Sequence, residues 1–436
     1  MITLDPSQAR AIDVMLDPSQ RLAIMTGGPG TGKTTVLRSV LDRLDALGKS
    51  YVLCAPTGKA AKRMQETTGR PASTIHALLK LRGSRNWFAP MPRTVVPALP
   101  GEYVFVDEAS MVDAVLMADL SRATRPGVHR IRLIGDVDQL PPVGPGQPFA
   151  DFIGSRVFRV VRLDTAHRSR EGAWISNNAP LINAGKMPEL CAPDREHGFR
   201  FIECALQTDV ARAIDHLYSG KLGAEWSDAV TGLATGGTPA PVLSPQRDGA
   251  AGVHHANITL ANFFVPFDIT EPRIDLEGGT ALRDGVRVIQ TKNDRERGLV
   301  NGDMGVMHYD AEAGRITLQL DADSDGDQLR DFSLEQARMD LEVAYALTIH
   351  KSQGSEYPWV VVVCHSAHHF LTRRLLYTAL TRAKLGVVLI GDRRGLQLAV
   401  NNTKEKARKT WLQQRLRERY PTIDGPSDGS TIDGPR

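Results

Sequence analysis

Apolar runs the length of a single strand recur along the chain, most of them running into a glycine or an acid, and the stretches between them place apolar residues three and four positions apart. The runs at 22–25, 51–55, 103–106, 130–134, 360–364 and 387–390 predict strands buried on both faces. The helical spacing between them predicts crossover helices, so the chain reads as α/β with parallel sheets. One helix start is explicit: Asp5 stands as N-cap, Pro6 at the first helical position and Gln8 three residues after the cap, followed by Ala9, Ile12 and Met15 on one face. The same five residues, Leu-Asp-Pro-Ser-Gln, stand at 4–8 and again at 16–20. The second copy runs directly into the strand at 22–25 and therefore reads as a turn, with Gln20 in the turn or at the surface.

Three segments break the alternation. Residues 82–101 are proline-rich around Trp87-Phe88 and predict a protruding hairpin or loop. Residues 286–341 carry short period-two segments separated by Asp/Gly turns, which predicts a small all-β insertion. After Tyr420 the sequence TIDGP occurs at 422 and again at 431 with almost nothing apolar to bury, so 421–436 is expected to be a disordered tail.

Composition narrows the class. A chain of 436 residues with 42% hydrophobic and 24% charged residues fits two or three globular units. The longest apolar run, 359–364, is strand-sized, so no membrane span is predicted. The opening Met1-Ile2-Thr3-Leu4 has no signal-peptide pattern, which makes the cytoplasm the expected location. Cys54, Cys191, Cys204 and Cys364 form no C-x-x-C pair and have no histidine at zinc-finger spacing, so they are expected to be reduced structural thiols. A net charge of +3 decides nothing about nucleic acid, because a basic channel can sit inside a balanced surface. The densest basic run, 404–419, fits a solvated helix face better than a phosphate contact.

Chemistry enters at the strand ends. After the first strand comes Gly27-Gly28-Pro29-Gly30-Thr31-Gly32-Lys33-Thr34-Thr35, a complete G-x-x-x-x-G-K-[ST]. Glycines let backbone N–H groups curl around phosphates, Lys33 reaches the β and γ oxygens of ATP, and Thr34 can ligate Mg2+ at a helix N-terminus that favours anions. A bare glycine turn would not require Lys33-Thr34 there. The strand at 103–106 ends in Asp107-Glu108, one acid suited to hold the nucleotide's Mg2+ and the next to orient or deprotonate water. A third strand end carries Gly135-Asp136-Val137-Asp138-Gln139, where the neutral amide of Gln139 suits a γ-phosphate sensor.

With those segments in place the chain resembles superfamily 1 DNA helicases, most closely the RecD-like branch of 5′→3′ enzymes. The resemblance is carried in family order by GGPGTGKTT, CAPTGKAAKRM (54–64), STIHALL (73–79), VFVDEASMVD (104–113), LIGDVDQLPPVGPG (133–146), LDTAHRS (163–169), VLSPQRDGAAGVHHAN (242–257), VNGDMG (300–305), YALTIHKSQGSEY (345–357) and LLYTALTRA (375–383). It implies two tandem RecA-like P-loop NTPase domains, at 1–160 and 161–400, with a β-hairpin pin at 82–101 in the first and an SH3-like insertion at about 305–338 in the second. A basic helix at 401–420 and the tail would follow. With its first helix beginning near residue 6, the chain is expected to be a compact form without an extended N-terminal domain, and it offers no segment to assign as a nuclease.

The same resemblance places residues. Gln8 would contact the adenine edge, which a side-chain amide can match by giving and accepting hydrogen bonds. Arg168 and Arg382 would reach across a cleft to the γ-phosphate as arginine fingers, with Gly354 and Glu356 as further nucleotide-side residues. Pro56, Thr57, Thr74 and His76 in the first lobe, and Thr348, His350, Lys351 and Ser352 in the second, would grip the strand backbone without reading sequence. His76 and His350 read equally as packed structural histidines, and Trp87 and Phe88 either as a stacking pin or as the hairpin's own core. The implied function is an ATP- and Mg2+-dependent helicase walking 5′→3′ on single-stranded DNA and acting at single/double-strand junctions, as a monomer. The alternatives are a translocase that strips bound proteins with little unwinding, or a nucleotide-switched DNA-binding module. Replication, recombination and repair all stay open, as do protein partners.

Overall fold

The computed structural model describes residues 4–81, 99–165, 172–191, 193–232, 237–266, 268, 270–294, 296–321, 329–404, 408 and 410–423. Most of the hairpin expected at 82–101, with Trp87 and Phe88, therefore lies outside the described residues, as do Arg168 and the tail from 424 onward. The chain divides into two compact units, residues 1–167 together with 406–436, and residues 168–405.

The first unit is built on six strands, β1 (Leu22–Gly27), β2 (Tyr51–Ala55), β3 (Ala72–Thr74), β4 (Tyr103–Val106), β5 (Arg130–Gly135) and β6 (Arg159–Leu163), in the order β3-β2-β4-β5-β1-β6. Every pairing is parallel. The register sets Thr26 beside Gly135, Val106 beside Leu133, Cys54 beside Val106 and Ala55 beside Thr74. Parallel strands in this register bring the loops that follow β1, β2, β3, β4 and β5 to one edge of the sheet, where α/β folds place ligands. The connecting helices are α1 (Pro6–Leu16), α2 (Lys33–Ala46), α3 (Gly58–Thr68), α4 (Ile75–Leu78), α5 (Ala114–Ala123) and α6 (Pro148–Ser155). Since β6 pairs with β1, the boundary expected between 160 and 161 falls inside a strand, and the first domain extends to at least Leu163.

The two Leu-Asp-Pro-Ser-Gln copies part as their downstream residues dictate. In the first, Asp5 Oδ1 accepts from the N–H groups of Ser7 and Gln8, while Gln8 Oε1 accepts from Asp5 N at 3.2 Å, a reciprocal capping box that starts α1. In the second, Asp17 Oδ1 accepts from Ser19 N and Oγ, which closes a side-chain turn instead. The carbonyls around that turn are collected by the fully buried Arg132 of β5, which donates to Met15 O at 2.6 Å, Asp17 O at 2.7 Å and Gln20 O at 3.0 Å and lies over the Tyr103 ring. Burial pulls Arg132 down to about 10, which still leaves it charged at neutral pH.

The second unit holds a parallel sheet of β7 (Phe199–Glu203), β8 (Val242–Ser244), β16 (Ala346–Thr348), β17 (Tyr357–Cys364) and β18 (Ala383–Gly391), in the order β16-β8-β17-β18-β7. The short β9 (Ile274–Asp275) and β10 (Ala281–Leu282) form a separate ladder. Between them and β16 lies an antiparallel sheet of β11 (Arg287–Gln290), β12 (Met304–Asp310), β13 (Arg315–Leu320), β14 (Leu329–Phe332) and β15 (Leu341–Val343). This sheet begins earlier and ends later than the insertion expected at about 305–338, and a helix at Leu334–Asp340 precedes its last strand. One apolar cluster joins both sheets, with Val288, Met307 and Leu318 beside Val242 and Val361.

The basic stretch expected as a helix over 401–420 is helical only at Leu412–Arg419 beyond residue 401, among the described residues, and it belongs to the first unit. Leu412 and Leu416 pack on the core beside α6, Gln413 Nε2 donates to Gly154 O at 2.8 Å, and Arg417 donates to the carbonyls of Gly154 and Ser155. Ahead of that helix Arg408 donates to the carbonyls of Pro142, Gly144 and Gly146. Arg408 and Arg417 of this run thus serve backbone carbonyls of their own unit. No helix among the described residues is long and apolar enough to cross a membrane.

Arg132→Met keeps the apolar stem and removes the donors, leaving three carbonyls around α1 and the second turn without their partner. The expected loss is about 3 kcal/mol, seen as a lower urea midpoint for the first domain, and an unchanged midpoint would show that the guanidinium does not hold this corner together.

Candidate nucleotide site and strand-facing residues

The loop after β1 is held in shape by its own residues. Lys33 Nζ donates to Gly27 O at 2.7 Å and Gly28 O at 2.8 Å, and Thr31 Oγ1 donates to Gly28 O at 2.9 Å. Gly30 and Gly32 have φ of +72° and +84°, and a Cβ on Gly32 would run into the Gln8 amide. A Cβ on Gly27 would stand 2.7 Å from Thr31 Oγ1. Helix α2 starts at Lys33 with no side-chain cap, so its first N–H groups, Thr34 and Thr35 among them, stand at a helix end suited to an anion. Gln8 is buried, with its oxygen in the capping box and its nitrogen donating to Thr31 O at 3.2 Å. It fastens α1 to the phosphate loop, a contact that the sequence did not disclose.

At the end of β4, Glu108 N donates to Asp107 Oδ1 at 2.8 Å, and Glu108 itself has φ of +49°. A left-handed backbone at a non-glycine residue is strained, a condition that clusters at functional sites. Burial and then the neighbouring Glu108 charge push Asp107 up to about 6, against the pull of Arg63 and Lys33. At the end of β5, Gln139 Nε2 donates to Asp136 Oδ2 at 3.4 Å, Asp136 Oδ1 accepts from Asp138 N at 3.0 Å, and Val137 N donates to Thr26 Oγ1 at 3.3 Å. Thr26 and Asp136, both buried, therefore anchor the Gln139 loop beside β1, and neither was singled out from the sequence. The signal for Asp136 was its place two residues before Asp138 at a strand end.

On the same sheet edge, Thr57 Oγ1 accepts from Ala60 N at 3.2 Å to cap α3, and Thr74 Oγ1 accepts from Ala77 N at 3.0 Å to cap α4. Pro56 begins the turn between β2 and α3, and His76 is exposed on the neighbouring turn.

The second unit gathers another group. Arg382 is 2% exposed, with Nε donating to Thr378 O at 3.2 Å and Nη1 to Ser355 O at 3.1 Å. Gly354 has φ of +74°, and Glu356 pairs with Lys384 at 3.6 Å, so the motif at 354–356 and Arg382 are packed together. After β16, Thr348 Oγ1 accepts from Lys351 N at 3.3 Å and His350 is exposed. Ser352 is fully buried and donates to Ile349 O within its own turn, so its hydroxyl does not face a strand. Thr348 and Lys351 do line a cleft of about 620 Å3 beside Arg247 and Glu342.

Residues 3–204 match the family model described as an AAA domain, and residues 343–390 match the UvrD-like helicase C-terminal domain. The chain is 36% identical over 419 residues to the ATP-dependent RecD2 DNA helicase of Deinococcus radiodurans, covering 95% of this chain and 52% of that protein. It is 33% identical over 431 residues to the RecBCD enzyme subunit RecD of Mycolicibacterium smegmatis, covering 92% of this chain and 73% of the relative. The chain thus spans about half the length of the first relative and nearly three quarters of the second. Among solved structures, the Pif1 helicase from Bacteroides in complex with ADP-AlF3 and ssDNA superposes with a TM-score of 0.55 at 20% identity, covering 93% of this chain and 96% of that one, a likeness of fold. That fold, two RecA-like domains with a phosphate loop at a parallel sheet edge, agrees with the sequence identity to the RecD proteins: the chain belongs to the RecD-like family of superfamily 1 helicases.

Proposed function

We propose that the chain is an ATP- and Mg2+-dependent DNA helicase that moves 5′→3′ on single-stranded DNA and opens single/double-strand junctions, functioning as a monomer. The observation that carries the proposal is one sheet edge holding a lysine-closed phosphate loop, an adjacent pair of acids and a glutamine anchored through Asp136. The sequence identity to the RecD2 and RecD proteins supports the same reading.

In this mechanism Lys33 exchanges the carbonyls of Gly27 and Gly28 for β- and γ-phosphate oxygens, and the N–H groups at the start of α2 take the remaining phosphate charge. Gln8 holds the adenine side of the loop through its fastening to Thr31. The hydroxyl of Thr34 and the carboxylate of Asp107 are hard oxygen donors that fit Mg2+, and the depressed acidity of Asp107 is what a carboxylate awaiting a cation would show. Bound there, Mg2+ would neutralise charge on the terminal phosphates. Glu108 orients water and accepts its proton, and Gln139 donates to the γ-phosphate. Arg168 and Arg382 supply positive charge to the transferring phosphoryl group, with Gly354 and Glu356 shaping the backbone around Arg382. Thr57, Thr74 and His76 of the first domain, and Thr348, His350 and Lys351 of the second, grip the strand through phosphates. Pro56 and Ser352 shape the turns on which those residues stand.

The direct test is strand displacement on duplexes carrying a single overhang. Unwinding is expected with a 5′ tail, and activity confined to a 3′ tail would refute the polarity. Displacement of streptavidin without duplex opening would leave a translocase. Lys33→Ala should reduce DNA-stimulated hydrolysis on the order of 10²- to 10³-fold, and a wild type without DNA-stimulated turnover would favour a nucleotide switch.

A pH titration tests the acid pair. Asp107 carries a folded value raised to about 6 from the usual 3.8, so it is protonated below that pH and ionised above it, and its ionisation opposes folding between the two values. Carboxyl NMR on the nucleotide-free chain should give a midpoint near 6. Glu108→Gln removes a neighbouring negative charge and should move that midpoint down. A midpoint near 4 in the wild type would contradict the burial argument.

A further inference from the structure

Strand β15 reads Leu341-Glu342-Val343, and its alternation fixes where the acid goes. Leu341 and Val343 are buried in the core where they also border the cleft of about 620 Å3, and the half-exposed Glu342 between them points to the other face of the strand and lines the same cleft. There its two carboxylate oxygens meet two different cations: Oε2 lies 2.6 Å from Lys351 Nζ, and Oε1 lies 3.9 Å from Arg247 Nη2. A phosphodiester presents the same feature, one negative charge shared by two oxygens on one atom, to a pair of basic side chains.

The rest of the cleft makes the coincidence consequential. Its lining includes the basic Arg247, Arg338 and Lys351 and the acidic Asp275, Glu277 and Glu342. Asp275 pairs with Arg273 at 3.0 Å, whereas Glu342 is in direct contact with Lys351. The side chains of Glu342, Lys351 and Arg247 are 46%, 32% and 55% exposed, so both pairs are screened by water and weak enough to be exchanged.

We propose that Glu342 is an internal substitute for a DNA phosphate: in the strand-free chain it holds Lys351 and Arg247, and it yields them when a strand enters the cleft. Glu342 thereby sets the resting affinity of the second domain for single-stranded DNA, making capture a competition between two anions for the same cations. The inference deepens the helicase reading and rests on it, through the strand-facing role given to Thr348 and Lys351.

The experiment is equilibrium binding of fluorescent oligothymidylate to the nucleotide-free full chain by anisotropy, at several salt concentrations. Glu342→Gln keeps shape and removes charge, and it is expected to tighten binding by about three- to tenfold at low salt, less as salt screens the pairs. Glu312→Gln, an exposed acid outside the cleft, removes the same net charge and should change affinity far less. In a Lys351→Ala background the effect of Glu342→Gln should shrink, because the cation it releases is gone. Equal gains from Glu342→Gln and Glu312→Gln, no gain from Glu342→Gln, or an undiminished gain without Lys351 would each overturn the proposal while leaving the helicase reading intact. A wild type that binds no single-stranded DNA overturns both. Matching thermal melts for wild type and Glu342→Gln exclude misfolding as the cause of any change.

Discussion

The ammonium of Lys33, seated on the carbonyl oxygens of Gly27 and Gly28 at 2.7 and 2.8 Å, is the interaction on which the rest of the site depends. It curls the phosphate loop around a positive charge. In the proposed mechanism the loop receives an anion through an exchange of acceptors at that one side chain. Gln8 reinforces this from outside the loop, since the residue that closes the capping box of α1 also holds the Thr31 carbonyl. A leading helix displaced from its start would therefore loosen the phosphate seat.

Around that lysine the first domain concentrates strain and burial at the residues proposed to carry the chemistry. Glu108 sits in a left-handed backbone, Asp107 is held well above its usual acidity range, and the Gln139 loop is tied to β1 through Thr26. These are features of an arrangement that its surroundings determine more strongly than local preference does. The surroundings include two arginines that bind backbone carbonyls. Arg132 gathers the carbonyls below α1, and Arg408 gathers those of the loop at 142–146, just after Gln139. The second of these comes from a segment that reaches the first domain only after the chain has passed through the second.

Much of this was legible in the sequence because the information is local. Parallel strands buried on both faces are continuous apolar runs, and the phosphate loop is a contiguous motif, so strand ends and candidate site residues can be named together. Asp5-Pro6-Ser7-Gln8 announced its cap. What was not legible depends on distant partners. The Gln8 contact with Thr31 spans the first turn of the fold, and nothing near Arg132 says that it will be buried under the second Leu-Asp-Pro-Ser-Gln turn. Strand β6, Arg159–Leu163, is an edge strand interrupted by exposed arginines at 159 and 162, so it does not stand out as an apolar run and the sequence alone places the domain boundary before it ends. The basic stretch near the C-terminus hides its docking face in two leucines, Leu412 and Leu416, among charges that read as solvated. Ser352 looked available for a phosphate, yet the tight turn after β16 buries it. Glu342 was silent for the opposite reason, since one acid between two apolar residues is an ordinary strand pattern until Lys351 and Arg247 are found beside it.

The most direct test of the account is a structure of the chain with a non-hydrolysable ATP analogue, Mg2+ and oligothymidylate. Lys33 Nζ is expected to have left Gly27 and Gly28 for the β- and γ-phosphate oxygens, with the guanidinium groups of Arg168 and Arg382 within hydrogen-bond distance of the terminal phosphate. A lysine still seated on its own carbonyls, or both arginines remote from that phosphate with the strand in place, would contradict it.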